Sequence, residues 1–133
     1  MKLLIAKSAG FCFGVRRAMD IAFEAAKRHP EDLYTLGPLI HNPQAVEFLE
    51  GLGVRVRSRI EEIPRGTVIF RSHGVSFQDL MKAREKKLRI IDATCPIVKR
   101  AHFYAKFLHR NHYGLRPKAR DIQHKSQPKE QAV

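Results

Sequence analysis

The 133-residue chain has a one-domain length and a globular composition, 44% hydrophobic and 29% charged, which excludes fibrous and generally disordered classes. No run approaches the roughly 18 apolar residues of a membrane span, and no signal-peptide pattern is present, so we expect a cytoplasmic protein. The formal charge is +12, but residues 110–133 contribute +4 of it and the other charges are scattered, which weakens the case for a nucleic-acid-binding protein.

Strand and helix patterns alternate along the chain. Apolar residues recur at helical spacing over residues 15–28, and an apolar, β-branched run over 67–71 is typical of a strand. Asn42, followed by Pro43, and Ser76 are the expected N-caps of two helices. In chain order we predict a strand over 2–7, a helix over 15–28, a strand over 33–36, a helix from 43 to Gly51 or Gly53, a strand over 54–56, a connection or short helical turn over 60–66, a strand over 67–71, a helix over 77–87, a strand over 88–93 and a helix over 96–109.

This alternation predicts an α/β fold, in which right-handed crossovers build a parallel-type sheet with flanking helices. The loops that follow the strands gather at one edge of such a sheet, where ligands bind. One residue capable of chemistry lies in each of four such loops, directly before a predicted helix. These residues are Cys12, His41, His73 and Cys95. Free N–H groups and the helix dipole favour an anion or a thiolate at these positions, so the four residues form a candidate site.

Each of the four residues also has an ordinary structural explanation. Cys12 and Cys95, which are 83 positions apart, could be buried core thiols, and His41 and His73 could simply hydrogen-bond their own loops. Together they match a Cys₂His₂ zinc site by number, but the close sequence pairs of zinc fingers are absent. An iron–sulfur cluster normally takes four thiolates, and histidines at helix starts also suit a phosphate or diphosphate. The residues alone leave these alternatives open.

Four segments resemble, in order, the amino-terminal motifs of the LytB family, the 4-hydroxy-3-methylbut-2-enyl diphosphate reductases. They are residues 10–18 (GFCFGVRRA), 36–43 (LGPLIHNP), 71–75 (RSHGV) and 91–98 (IDATCPIV). The resemblance implies that residues 1–109 form the first of three similar α/β domains around a central cavity. It further implies that Cys12 and Cys95 are metal ligands of a 4Fe-4S cluster whose third cysteine this chain lacks. His41 and His73 would then bind the substrate diphosphate.

The resemblance also implies an activity. The family removes the hydroxyl group of 4-hydroxy-3-methylbut-2-enyl diphosphate as water, and so forms isopentenyl and dimethylallyl diphosphate in the non-mevalonate pathway of isoprenoid synthesis. The electrons would come from a ferredoxin or flavodoxin. The proton-relay motif of the family is not found, so no catalytic residue is predicted within this chain. His124 lacks the Pro-Glu that follows the family's relay histidine, so we assign it no role.

The resemblance stops at about residue 109. Residues 110–133 are basic and lack a strand or helix period, so we expect a disordered or loosely attached tail, and the abrupt change suggests a frameshifted or truncated gene product. Because two thiols cannot supply three ligands, the isolated chain is not expected to catalyse the reaction. Two other hypotheses are a non-catalytic basic module that binds nucleic acid or other anions, and a structural remnant that self-associates through exposed apolar surface.

Overall fold

The computed structural model of the chain describes residues 2–4, 9–28 and 31–111. Its elements in chain order are α1 (Phe13–Arg28), β1 (Leu33–Leu36), α2 (Pro43–Gly51), β2 (Arg55–Arg57), a short 3₁₀ helix (Ile60–Glu62), β3 (Thr67–Phe70), α3 (Phe77–Glu85), β4 (Arg89–Asp92) and α4 (Pro96–Arg110). Two compact units are distinguished, Met1–Lys99 and Arg100–Val133. The first contains the whole sheet. Within the described ranges, every helix is too short or too polar to cross a membrane.

The sheet of the first unit has four parallel strands in the order β2-β1-β3-β4. The last residues of the three adjacent strands β1, β3 and β4 are in register, because Leu36 lies opposite Phe70 and Phe70 lies opposite Asp92. The loops after these strands therefore leave from one edge of the sheet. This arrangement confirms the predicted α/β fold with a parallel sheet and flanking helices.

The two central strands, β1 and β3, are buried along their whole length and contribute to a core on each face of the sheet. One core joins these strands to α1 and α2, and α1 contributes mainly small side chains to it. Those residues of α1 are Ala18, Met19, Ala22, Ala25 and Ala26. The other core packs Tyr34 and Phe70 against the 3₁₀ helix and α3. Helices thus cover both faces, as a sheet with continuously apolar central strands requires.

The starts of α2, α3 and α4 were predicted correctly because local residues determine them, whereas α1 begins at Phe13, two residues before the predicted start at residue 15. The side chain of Asn42 accepts a hydrogen bond from the Ala45 N–H at 2.9 Å, and α2 begins at Pro43. Ser76 caps α3 in the same way. The end of α3 was predicted two residues too late, since Lys87 adopts a left-handed backbone conformation with φ of 54°. A lysine at that position gives no sequence signal of the kind that glycine gives.

Two predicted segments fall wholly or partly outside the described residues. Residues 2–4 do not form the expected strand over 2–7, and Leu3 and Leu4 are 77% and 83% exposed, so these residues lack the burial that stabilises a strand. Residues 5–7 lie outside the described ranges. So does the predicted tail over 110–133, except for Arg110, which ends α4, and Asn111.

Candidate functional site

Both cysteines occupy the position immediately before a helix. The Cys12 carbonyl accepts the first hydrogen bond of α1 from the Arg16 N–H, and the Cys95 carbonyl accepts the first one of α4 from the Lys99 N–H, each at 3.0 Å. Both thiols are free; Cys12 is exposed and Cys95 is half-buried. Each thiol therefore lies where the N–H groups of a first helical turn favour negative charge.

The Cys95 side chain packs directly against Gly14, in the first turn of α1. It occupies the space in which a side chain at position 14 would begin, and its own Cβ lies 2.9 Å from that point. Because Gly14 is only two residues beyond Cys12, the two thiol-bearing loops meet here. Sequence reasoning predicted that the loops share one edge but missed Gly14. The available signal was a glycine near the start of a helical pattern, where alanine is the better helix former by about 1 kcal/mol.

Backbone hydrogen bonds connect the loops of the site in the same order as the strands. The Ser72 N–H donates to the Leu39 carbonyl at 3.1 Å, and the Cys95 N–H donates to the Ser72 carbonyl at 2.7 Å. Beside the Cys95 loop, the guanidinium of Arg17 on α1 donates to the Thr94 carbonyl at 3.4 Å. These bonds fix the two histidine loops and the Cys95 loop relative to one another.

His41 and His73 are brought into ring contact. Their imidazoles stack with centroids 5.0 Å apart and planes inclined by 16°. His41 is exposed and directly precedes the cap of α2, whereas His73 is half-buried in the loop after β3. The two histidines are therefore neighbours in space, although they are 32 positions apart in the sequence.

Arg71 supports this histidine pair and changes its electrostatics. Its Nε donates to the Gly74 carbonyl at 3.2 Å, and its guanidinium lies over Gly37. Burial lowers the pKa of His73, and the positive charges of Arg71 and His41 lower it further. A neutral imidazole beside a permanent cation is suited to a ligand that brings negative charge. The sequence prediction did not include Arg71.

Asp92, at the end of β4, orders the turn that presents Cys95. Its carboxylate accepts a hydrogen bond from the Thr94 N–H at 2.9 Å and pairs with Lys99 at 2.6 Å. Partial burial raises the pKa of this carboxyl, but the hydrogen bonds from Lys99 and Thr94 outweigh that effect and lower the pKa below its usual value. The ionised carboxylate thus holds both sides of the turn.

The two thiols are the candidate ligands for a metal cluster at this edge of the sheet. In the part of the chain that the structure describes, no group of three or more His, Cys, Asp or Glu side chains could hold a metal ion. Cys12 and Cys95 nevertheless form a pair of free thiols whose loops meet at Gly14. The donor set therefore fits part of a thiolate cluster site and leaves ligands to be supplied from elsewhere.

A cavity of about 570 Å³ lies beside α2, and His41 forms part of its wall. Most of the lining is apolar, but Glu47 and Glu50 contribute carboxylates. The negative charge of these two carboxylates disfavours an anionic ligand in this cavity.

The family model described as LytB protein matches residues 3–116. Relatives named 4-hydroxy-3-methylbut-2-enyl diphosphate reductase include that of Geobacter sulfurreducens, 52% identical over 115 residues, which cover 86% of this chain and 40% of the relative. The enzyme of Pelobacter propionicus is 50% identical over 115 residues and is covered to 41%. The chain thus spans about 40% of the length of these curated relatives.

Two solved structures are also similar. One is (E)-4-hydroxy-3-methyl-but-2-enyl diphosphate reductase, described as the terminal enzyme of the non-mevalonate pathway, with a TM-score of 0.69 and 48% identity over 82% of this chain and 39% of that one. The other is the E-1-hydroxy-2-methyl-but-2-enyl-4-diphosphate reductase of Plasmodium falciparum, with a TM-score of 0.75 and 32% identity over 79% of this chain and 33% of that one. The predicted division of the chain at residue 109 is not tested by these similarities and stays a prediction.

Proposed function

The chain belongs to the LytB protein family, and we propose that it supplies the amino-terminal wall of the active site of a 4-hydroxy-3-methylbut-2-enyl diphosphate reductase. The observation that carries this proposal is the meeting of four loops at one sheet edge, two with thiols and two with stacked imidazoles. Thiolates suit an iron–sulfur centre, and imidazoles beside Arg71 suit a diphosphate. One edge therefore offers both groups that reduction of this substrate needs.

The residues of this chain have distinct roles in the proposal. Cys12 and Cys95 would hold part of a 4Fe-4S cluster, which when bound would pass the two electrons from the donor protein to the substrate one at a time and offer an iron that polarises the substrate hydroxyl. His41 and His73 would donate hydrogen bonds to the diphosphate and so orient the hydroxyl end toward the thiols. Because the pKa of His73 is lowered in the free chain and a bound anion favours the imidazolium, we expect binding to take up a proton.

We propose that the 133-residue chain alone is not an active reductase. Its sequence contains two cysteines, and a diphosphate held from one side would stay exposed to water. The ferredoxin or flavodoxin that donates electrons, and the remaining ligands of the cluster, would act only in a complete site. Anaerobic reconstitution with iron and sulfide should therefore yield no stoichiometric cluster by iron analysis and Mössbauer spectroscopy. A stoichiometric 4Fe-4S signal would contradict this expectation.

Binding of inorganic pyrophosphate to the chain tests the histidine site directly. By isothermal titration, His41→Ala and His73→Ala should each weaken binding, while His102→Ala on α4 serves as the control and should not. Each good charge-assisted hydrogen bond contributes about 1.5–3 kcal/mol, which corresponds to a loss of roughly tenfold or more. If all three variants bind like wild type, the histidine pair is not the diphosphate site.

The same titration, repeated with duplex DNA, distinguishes a reductase site from a basic module that binds nucleic acid. A nucleic-acid module would bind duplex DNA with a steep dependence on salt and without sensitivity to the two histidines. Pyrophosphate binding that depends on His41 and His73 favours the reductase site instead.

A further inference from the structure

The backbone conformation at position 14 does not require a glycine. The described glycines with positive φ are Gly10, Gly37, Gly53, Gly66 and Gly74. Gly14 is absent from that group and lies within the first turn of α1. Alanine adopts this backbone more readily than glycine does, so local helix propensity favours replacement. The reason for glycine must therefore lie in packing.

That packing involves one neighbouring residue. All three of the nearest atoms to the place of a Cβ at position 14 belong to Cys95: its Sγ, its Cβ at 2.9 Å and its Cα at 3.9 Å. Gly14 is buried, and Cys95 is half-buried on top of it. A methyl group at position 14 and the present position of the Cys95 thiol exclude each other.

The backbone of Cys95 has little freedom to move away. Its N–H is bonded to the Ser72 carbonyl at 2.7 Å, and its carbonyl accepts from the Lys99 N–H at 3.0 Å. The preceding turn is held by the bonds from Thr94 to Asp92 and from Arg17 to Thr94. Rotation of the Cys95 side chain would remove the Sγ contact but not the contact with its Cβ at 2.9 Å. An added methyl group would therefore also shift the Cys95 turn against these bonds and move the thiol away from the turn that carries Cys12.

We propose that Gly14 is a positioning residue of the thiol site. Because Gly14 has no side chain, the Cys95 thiol can lie against the first turn of α1 beside Cys12. One thiophilic metal centre can then bind both thiols. This inference rests on the proposed function and deepens it. It assigns to Gly14 a geometric role in metal binding that is separate from helix formation. Gly51 provides the contrast, because it also lies in a helix without positive φ but has open space around its Cβ position.

The test uses the reduced chain and Cd²⁺ as the probe, with the thiolate-to-cadmium charge-transfer absorption as readout. Wild type should bind Cd²⁺ through both thiols, and Cys12→Ser and Cys95→Ser should each weaken the signal. Loss of a residue that orients metal ligands typically costs 10- to 100-fold in affinity, so Gly14→Ala should bind Cd²⁺ about 10- to 100-fold more weakly. Gly51→Ala should bind like wild type. Iodoacetamide should alkylate Cys95 faster in Gly14→Ala, because the thiol has left its half-buried position.

These measurements distinguish the role of Gly14 from the existence of a metal site shared by Cys12 and Cys95. Wild-type Cd²⁺ affinity in Gly14→Ala would overturn the role of Gly14 and leave the proposed function standing. A wild-type chain whose Cd²⁺ binding is insensitive to Cys12→Ser or Cys95→Ser would overturn the shared thiol site itself. If Gly14→Ala loses its helical circular dichroism, the double variant Gly14→Ala/Cys95→Ala should recover part of the lost melting temperature. Absence of any recovery would show that Cys95 is not the group that excludes a side chain at position 14.

Discussion

At the scale of single residues, Thr35 places a polar hydroxyl without a hydrogen-bond partner in the apolar core. It lies in the central strand β1, opposite Val56 and Ile69, and is 1% exposed. Its hydroxyl is the one buried side-chain polar atom in the described part of the chain that has no hydrogen-bond partner. A buried unsatisfied polar group costs about 1–3 kcal/mol, whereas a methyl group of the same shape does not.

We therefore predict that Thr35→Val raises the free energy of unfolding by about 1 kcal/mol, measured by urea denaturation. Thr35→Ala is the matched control, since it removes the same hydroxyl but also leaves a cavity, and it should not stabilise the protein. A less stable Thr35→Val variant would mean that the hydroxyl has a partner in solution.

His73 should give the fold a measurable dependence on pH. Its pKa is lowered from the usual 6.5, first by burial and then by Arg71 and His41. The unfolded chain therefore binds more protons than the folded chain at pH values just below 6.5, so stability should fall as the pH drops through this window. His73→Gln should remove that part of the decrease in melting temperature.

The contribution of Arg71 can be measured on the same histidine. In Arg71→Gln the pKa of His73, followed by NMR titration, should rise toward 6.5 but not reach it, because burial is the larger cause. Arg71→Lys retains the charge and loses the guanidinium bond to the Gly74 carbonyl, so it separates charge from loop positioning. An unchanged pKa in Arg71→Gln would exclude an electrostatic role for Arg71.

At the scale of elements, the predictable features were those that depend on near neighbours in the sequence. Asn42 and Ser76 mark the starts of α2 and α3 because a cap bonds to an N–H three residues later. The contact between Gly14 and Cys95 joins residues 81 positions apart, which come together because α1 packs on the face of the sheet. Local pattern could place the cysteines before helices but could not identify what they touch.

The amino ends of β1 and β3 are joined through another close glycine contact. The Thr67 N–H donates to the Asp32 carbonyl at 2.9 Å, and Gly66, with φ of 100°, lies so close to Asp32 that a Cβ there would be 2.6 Å from the Asp32 Cβ. This end of the sheet lies opposite the candidate site. A change here should affect stability and leave the thiols in place.

We predict that Gly66→Ala lowers the free energy of unfolding by about 2 kcal/mol or more, because backbone strain of roughly 1–3 kcal/mol adds to the steric contact. Gly10→Ala is the matched control, since Gly10 also has positive φ, 134°, but has open space around its Cβ position. It should cost less than Gly66→Ala. Equal losses in the two variants by urea denaturation would show that strain alone matters and that the contact with Asp32 does not.

At the scale of the whole molecule, the candidate site has one wall, and the chain spans about 40% of the curated relatives that it matches. Family motifs in the sequence selected Cys12, His41, His73 and Cys95 as candidates for this wall, and their roles stay a prediction. The motifs could not give the stacking of His41 on His73 or the contact of Arg71 with Gly37, because both depend on side-chain packing between loops. Ligands from outside this wall would be needed to enclose a substrate.

Helix α4 carries exposed apolar surface that should promote self-association. Phe103 and Phe107 are 65% and 51% exposed, and every described residue from 100 to 111 is exposed. Burial of apolar surface contributes about 25 cal/mol per Å², so two such aromatic side chains favour contact between copies. Light scattering should therefore show an average mass that increases with concentration.

The double variant Phe103→Gln/Phe107→Gln should shift this mass toward that of the monomer, because glutamine keeps helix propensity while removing the aromatic surface. Lys106→Gln on the same helix is the control and should leave the aromatic contribution in place. If instead the lysine change alone abolishes association, charge and not apolar surface holds the copies together. A wild-type chain that stays monomeric at every concentration would mean that the exposed aromatic side chains of α4 do not drive association at all.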